Sequence, residues 1–262
     1  MSEVDSRQAV HTQTKRGMSY FRSGHGRPVV FVHGWCLNGR MWGLSEGWLP
    51  DGHEALVPDL PGFGQSKEAS GPFTVSAHAD AVGELLEEEL LTDAVLVGFA
   101  YGGAVSLAAA AASPELVGGV IVMGVPTPGV LPTERMVASM RRDWPGYARR
   151  SSEALTANSQ LEGMKFYEDM FLDNRVSVAT ESWQSISNHD CLPVAASVGV
   201  PTLFIHGHDD DYSPASTAEE CANSAGGHAV ILEGSRHLVI LDRQTACREL
   251  VTSFLSEVVS RS

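Results

Sequence analysis

Residues 93–112, DAVLVGFAYGGAVSLAAAAA, decide the fold. Ala94 to Val97 form an unbroken apolar run rich in valine, as a strand buried on both faces of a parallel sheet requires. Gly98, Gly102 and Gly103 then crowd a turn. From Ala104 the chain is mostly alanine, the strongest helix former, until Ser113-Pro114 stops it. Upstream, PVVFVHG from Pro28 and EALVPDL from Glu54 read as two more buried strands. Between the second of these and the quoted stretch, residues 73–91 space their apolar positions three and four apart, as in an amphipathic helix. The charged face of that helix, Glu84, Glu87, Glu88 and Glu89, reads as solvated. Downstream, GGVIVMG, VPTLFIHG and HAVILEG continue the strand pattern, with helices expected near Ala215 to Ser224 and from about Arg243 to Val259. Strands and helices in this alternation argue for an α/β fold: a mostly parallel central sheet with helices on both faces.

The alternation breaks between about Thr127 and about Ser197, where helical stretches and turns occur but nothing resembles a buried strand. An insertion is expected there. It divides the chain into 1–126, 127–197 and 198–262, the first and last forming one core. A chain of 262 residues, 43% of them hydrophobic, is long enough for one large domain carrying such an insertion. With 32 Asp and Glu against 18 Lys and Arg, the formal charge of −14 would repel a phosphate backbone, so nucleic acid is not an expected partner. Cys36, Cys191, Cys221 and Cys247 form no CxxC pair, which suggests reduced thiols rather than a zinc site or disulfides. The first residues, MSEVDSRQAVHTQTKRG, are polar, and no apolar stretch approaches the ~18 residues of a membrane span. No membrane partner is expected, and a cytoplasmic location is.

Gly98-Phe99-Ala100-Tyr101-Gly102 has the place and spacing of a G-x-S-x-G nucleophile elbow, whose flanking positions must lack side chains for strand and helix to approach. The nucleophile position holds Ala100, which has no oxygen. On its own the stretch also reads as a glycine-packed turn. Three other segments bear on it. His33-Gly34-Trp35-Cys36 closes the first long strand, where the backbone N–H of Trp35 could join that of Tyr101 as an oxyanion hole; His33 itself reads as structural. Gly207-His208-Asp209-Asp210-Asp211 follows a strand, and Asp210 is the expected acid. A cation site involving His206 and His208 is the weaker reading there, and no metal is expected. Gly234-Ser235-Arg236-His237 follows the last strand and offers His237 as base. Elbow, acid, base is the chain order of one class of catalytic triad.

With these motifs in hand, the sequence resembles the α/β-hydrolase superfamily from about Pro28 to the last helix. FVHGW, DLPGFGQS, GFAYGG, GHDDD and GSRH are similar to its oxyanion loop, the turn after its next strand, its elbow, its acid loop and its histidine loop. The resemblance implies that 127–197 is a helical cap, and it points to small esterases, lactonases, haloperoxidase-like enzymes and carbon–carbon hydrolases. It implies an acyl-enzyme mechanism at position 100 with Asp210 and His237, no cofactor, and a small hydrophobic carbonyl-containing substrate. Phe99, Cys36, Trp144, Trp183 and Leu238 are expected to face that substrate. Cys36 reads as a packed thiol rather than a replacement nucleophile, and Gly129, Gly146 and Gly163 are candidate cap hinges. Ala100 is read as a Ser→Ala knock-out of the nucleophile. The alternatives are a natural alanine, with His237 and Asp210 serving as a general-base pair in a cofactor-free dioxygenase or lyase, or a non-catalytic ligand receptor. The oligomeric state stays open, a homodimer included.

Overall fold

The computed structural model describes residues 10–43, 48–130, 132–155 and 164–259; Gly163 and the first nine residues lie outside them. Its strands are β1 Val10–Gln13, β2 Ser19–Gly24, β3 Arg27–Val32, β4 His53–Pro58, β5 Ala94–Phe99, β6 Val117–Met123, β7 Thr202–Gly207 and β8 His228–Leu232. They form one sheet in the order β1-β2-β4-β3-β5-β6-β7-β8. All pairings from β4 to β8 are parallel, and β1 and β2 add antiparallel to one edge. Every residue of β5 is buried, as its unbroken apolar run requires. Fully burying a Val or Leu side chain contributes roughly 1.5–3 kcal/mol, so Val95, Leu96 and Val97, all fully buried, make β5 the anchor of the sheet.

The helices are α1 Val75–Glu88, α2 Tyr101–Ala112, α3 Thr133–Arg142, α4 Trp144–Ala154, α5 Met164–Leu172, α6 Val176–Ser187, α7 Cys191–Ser197, α8 Ala215–Ala225, α9 Val239–Asp242 and α10 Gln244–Val259. They cover both faces of the sheet. On β6, Gly103 of α2 lies over Val122 and Phe254 of α10 lies over Gly119. Positions 119 and 122 differ by an odd number, so they point to opposite sides. α1 packs on α2, α2 on α7, and α7 on α8, as one row. The chain passes from β3 to β4 on one side and then through α1 to β5 on the other. The strand order therefore reverses at β3, where a crevice opens at the carboxyl ends of the strands.

The insertion supplies α3 to α7, helical as expected among the described residues. α3 to α6 pack on one another, with α6 also reaching α1, but α7 packs on α2 and α8 and so joins the core row. Two features differ from the sequence reading. β1 and β2 were not anticipated, because they are short, largely polar strands with no apolar run. The glutamates of α1 also have partners: Glu84 pairs with Arg16, Glu88 accepts from the Lys15 N–H, and Glu89 accepts from Tyr20 Oη and Arg22. Glu87 stays exposed as expected, while Glu84, Glu88 and Glu89 tie the N-terminal segment to the core at the water-facing surface.

Gly98 and Gly199 test the packing argument. A Cβ on Gly98 would stand 2.6 Å from the backbone nitrogen of Gly103, whereas one on Gly199 would meet nothing within 4 Å. Gly98→Ala should cost about 1–3 kcal/mol, seen as a melting temperature lower by several degrees. Gly199→Ala should leave the melting temperature unchanged or raise it slightly.

Candidate active site

The turn after β5 is the sharpest element of the site. Ala100 has φ 47° and ψ −110°, a left-handed conformation that costs a residue with a Cβ about 1–3 kcal/mol. It is held there from both sides. Its N–H donates to Met123 O at 2.8 Å, and its carbonyl accepts from Gly103 N at 2.9 Å and Ala104 N at 3.1 Å. A Cβ on Gly102 would stand 2.7 Å from the Val32 carbonyl carbon, so only glycine lets α2 start against β3. Tyr101 opens α2, where a backbone N–H has no intrahelical acceptor.

The loop after β3 lies beside this turn. The His33 ring is buried and structural, as read from sequence: Nε2 accepts from Leu60 N at 2.9 Å, which leaves Nδ1 to donate to Gly34 O at 2.8 Å. Trp35 turns its indole toward the insertion, where Nε1 donates to Ala179 O and Ser182 Oγ of α6, both at 3.1 Å. Among the described residues no protein acceptor takes the backbone N–H of Trp35. Behind Tyr101, the His78 imidazole accepts from Tyr101 Oη at Nδ1 (2.8 Å) and donates from Nε2 to Pro61 O (3.0 Å). Burial depresses His78 to a pKa of about 3 and lowers that of His33. Both rings are neutral packing elements.

The loops after β7 and β8 bring the acid and the imidazole together. His237 Nδ1 lies 2.7 Å from Asp210 Oδ2. The other oxygen, Oδ1, accepts from the backbone N–H groups of Tyr212 (2.8 Å) and Ser213 (3.2 Å). The sequence marks His206 only in the weaker cation reading, not as a partner of the acid. Its Nδ1 accepts from Val125 N, so Nε2 carries the proton and is shared between Ser213 O at 3.1 Å and Asp210 Oδ2 at 3.2 Å. Burial opposes ionisation of Asp210, but the two imidazoles outweigh it and hold the carboxyl well below its usual range. Asp209 pairs with His208 at the surface and Asp211 pairs with Arg236. Of the three aspartates, only Asp210 turns inward.

Ala100 and His237 line one cavity of ≈ 790 Å³, its open mouth included. The Phe99 ring stands 5.3 Å from the imidazole, and Leu37, Leu155, Phe171, Trp183 and Ile186 supply most of the apolar wall. Of the five residues expected to face substrate, Phe99 and Trp183 line this cavity. The other three do not line the cavity. Cys36 adopts φ 55° and is fully buried, its carbonyl held by Asn174 Nδ2 at 2.8 Å; burial pushes its thiol far up, so it is no thiolate nucleophile. Trp144 stacks on Tyr147 at 6.0 Å, one layer behind the wall. The Leu238 side chain is buried in the core while its N–H donates to Leu155 O at 2.6 Å. Tyr147, Ser151 and Tyr212 also line the cavity; nothing in the spacing of loop and helix residues marks which face is inward. Gly146 lies in the first turn of α4, its N–H capped by Asp143, while Gly129 sits in a left-handed turn at the cavity.

Residues 29–250 match the model of the alpha/beta hydrolase family, and the chain belongs to that family. It is 26% identical over 220 residues to the AB hydrolase superfamily protein YisY of Bacillus subtilis, covering 75% of this chain and 79% of the relative. It is 24% identical over 249 residues to the pimeloyl-[acyl-carrier protein] methyl ester esterase of Vibrio cholerae, covering 87% and 94%. A thermophilic esterase from Thermogutta terrifontis superposes with a TM-score of 0.82 at 25% identity, over 96% of this chain and 99% of that one. Among the described residues no helix is long and apolar enough to cross a membrane.

The buried neutral histidines make the fold acid-sensitive. An unfolded His78 takes up a proton near pH 6.5 and the folded one only near pH 3. Between those values the unfolded chain binds more protons, so stability must fall as the pH is lowered through that window. Denaturant titrations from pH 7 to pH 4 should show this loss, and His78→Gln should shrink the slope. A slope identical in the variant would remove His78 from the account.

Proposed function

We propose that this site is built to hydrolyse an ester or lactone of a small or medium hydrophobic acid, with position 100 as the acyl-transfer position. One observation carries the reading: an imidazole oriented by a buried carboxylate shares an apolar cavity with the apex of a strained strand-to-helix turn. With Nδ1–H donated to Asp210, Nε2 of His237 is left to accept a proton. The hydroxyl introduced by Ala100→Ser would give its proton to Nε2 as its oxygen bonds the substrate carbonyl carbon. The carbonyl oxygen, now negative, would accept from the N–H groups of Trp35 and Tyr101. As the carbon–oxygen bond to the alcohol breaks, Nε2 returns the proton to the departing oxygen, and water then repeats the sequence on the acyl group.

With alanine at position 100 no oxygen is present to attack, and we read the residue as the replacement of a serine. The protein as it stands would bind its ester and hold it without forming an acyl-enzyme. The alanine itself favours a second reading, in which His237 removes a proton directly from a substrate carbon and Asp210 stabilises the imidazolium.

Ala100→Ser separates the two. On a p-nitrophenyl ester of a short acid the variant should show a burst of nitrophenol and a rate on the order of 10⁶-fold above the unaltered chain, the cost of removing a triad serine. Adding Asp210→Asn should lower that rate by about 10⁴-fold. No burst from Ala100→Ser, together with oxygen uptake by the unaltered chain on an enolisable heteroaromatic, would overturn the ester reading in favour of the base.

A further inference from the structure

A second space opens beside the apolar cavity. It is bounded by Arg135 and Met136 of α3 and Arg150 of α4, and it shares Tyr147, Ser151 and Tyr212 with the inner cavity. The two spaces differ in chemistry. The inner one is walled mainly by hydrocarbon and aromatic rings, whereas the outer one presents two exposed arginine side chains. Arg150 makes only a loose pair, 3.9 Å from Asp143 Oδ2, and Asp143 is already engaged in capping α4 through Oδ1. Residues 133–154 carry five arginines against three carboxylates in a chain of formal charge −14. The stretch is thus net positive within an acidic chain, and the two arginines that border the outer space, Arg135 and Arg150, favour an anion there.

Tyr212 sets the direction in which a substrate would lie. Its ring stands 5.0 Å from the His237 imidazole and also borders both spaces. A base that returns its proton to the departing oxygen must have that oxygen beside it. With the alcohol half on the Tyr212 side of His237, next to the outer space, the acyl half lies among Leu37, Phe171 and Trp183. Burial keeps the Tyr212 phenol protonated, with a pKa near 12, so the shared wall is neutral and leaves the anion to the arginines.

We propose that the outer space is an anion subsite for the leaving alcohol, and that the substrates are esters joining a hydrophobic acid to an alcohol that bears a carboxylate or phosphate. This rests on the hydrolase reading of the same site. Binding to the unaltered chain tests it without turnover. By calorimetry, 4-carboxyphenyl hexanoate should bind about tenfold more tightly than its neutral counterpart 4-carbamoylphenyl hexanoate, the scale of two partly exposed ion pairs. 4-Phosphonooxyphenyl hexanoate, run alongside, identifies which anion fits better. In the Arg135→Gln/Arg150→Gln double variant the preference should fall to within about twofold, and monophenyl adipate, with its carboxylate on the acyl side, should gain nothing over phenyl hexanoate. Equal affinities for the first pair, a preference that survives the double variant, or an equal gain for the adipate would each overturn the proposal. Activity of Ala100→Ser on the neutral ester is read separately. Its absence would count against the hydrolase reading and leave the binding comparison to decide the subsite.

Discussion

The contact of backbone on backbone at residues 98 to 103 is the constraint on which the rest of the structure depends. Gly98 packs on Gly102 and Gly103, Gly102 on Val32, and Gly103 on Val122. Without side chains at these three positions, α2 starts directly against β3 and β6, and the residue between them is forced into φ 47°. The same approach sets the loop after β3 beside the first turn of α2. Two backbone N–H groups and the Ala100 side chain are thereby brought to one end of the sheet before any side-chain chemistry is considered.

The imidazole and its acid come from the other half of the chain, yet they are fixed with comparable economy. Asp210 accepts four hydrogen bonds, two from backbone N–H groups and two from imidazoles. A carboxylate this well satisfied tolerates burial that would otherwise neutralise it. The inserted helices are fastened to the loop after β3, to the histidine loop and to the start of α1. Trp35 reaches α6, the Leu238 N–H reaches Leu155, and the start of α1 donates through Phe73 N to Glu181 and through Val75 N to Ser185. Any rotation of α6 must therefore be felt at the loop after β3, because the indole of Trp35 joins the two.

Much of this was legible in the sequence, for physical reasons. Strands of a parallel sheet read as continuous apolar runs, and all six such runs became β3 to β8, the half-exposed edge strand β8 included. Glycine spacing revealed the elbow because close approach leaves no other residue possible. Short polar strands leave no comparable mark, so β1 and β2 were invisible. The glutamates of α1 looked solvated because their partners, Arg16, Tyr20 and Arg22, lie far away in the chain. Side-chain direction within a loop or on a short helix has no periodic signature either. Cys36, Trp144 and Leu238 therefore lie outside the cavity wall, Tyr212 lines it without any motif to mark it, and His206, read only as part of a cation site, holds the acid Asp210.

The twisted backbone at position 100 carries one more implication. Its conformational cost is set by the glycines around it and falls alike on alanine, serine or cysteine, since each has a Cβ and little beyond it. Small residues at this apex are thus nearly interchangeable for folding while differing entirely in reactivity. A lineage carrying this scaffold could lose or regain a reactive atom in a single step with its architecture untouched, so inheritance of the shape is no guarantee of inheritance of the reaction.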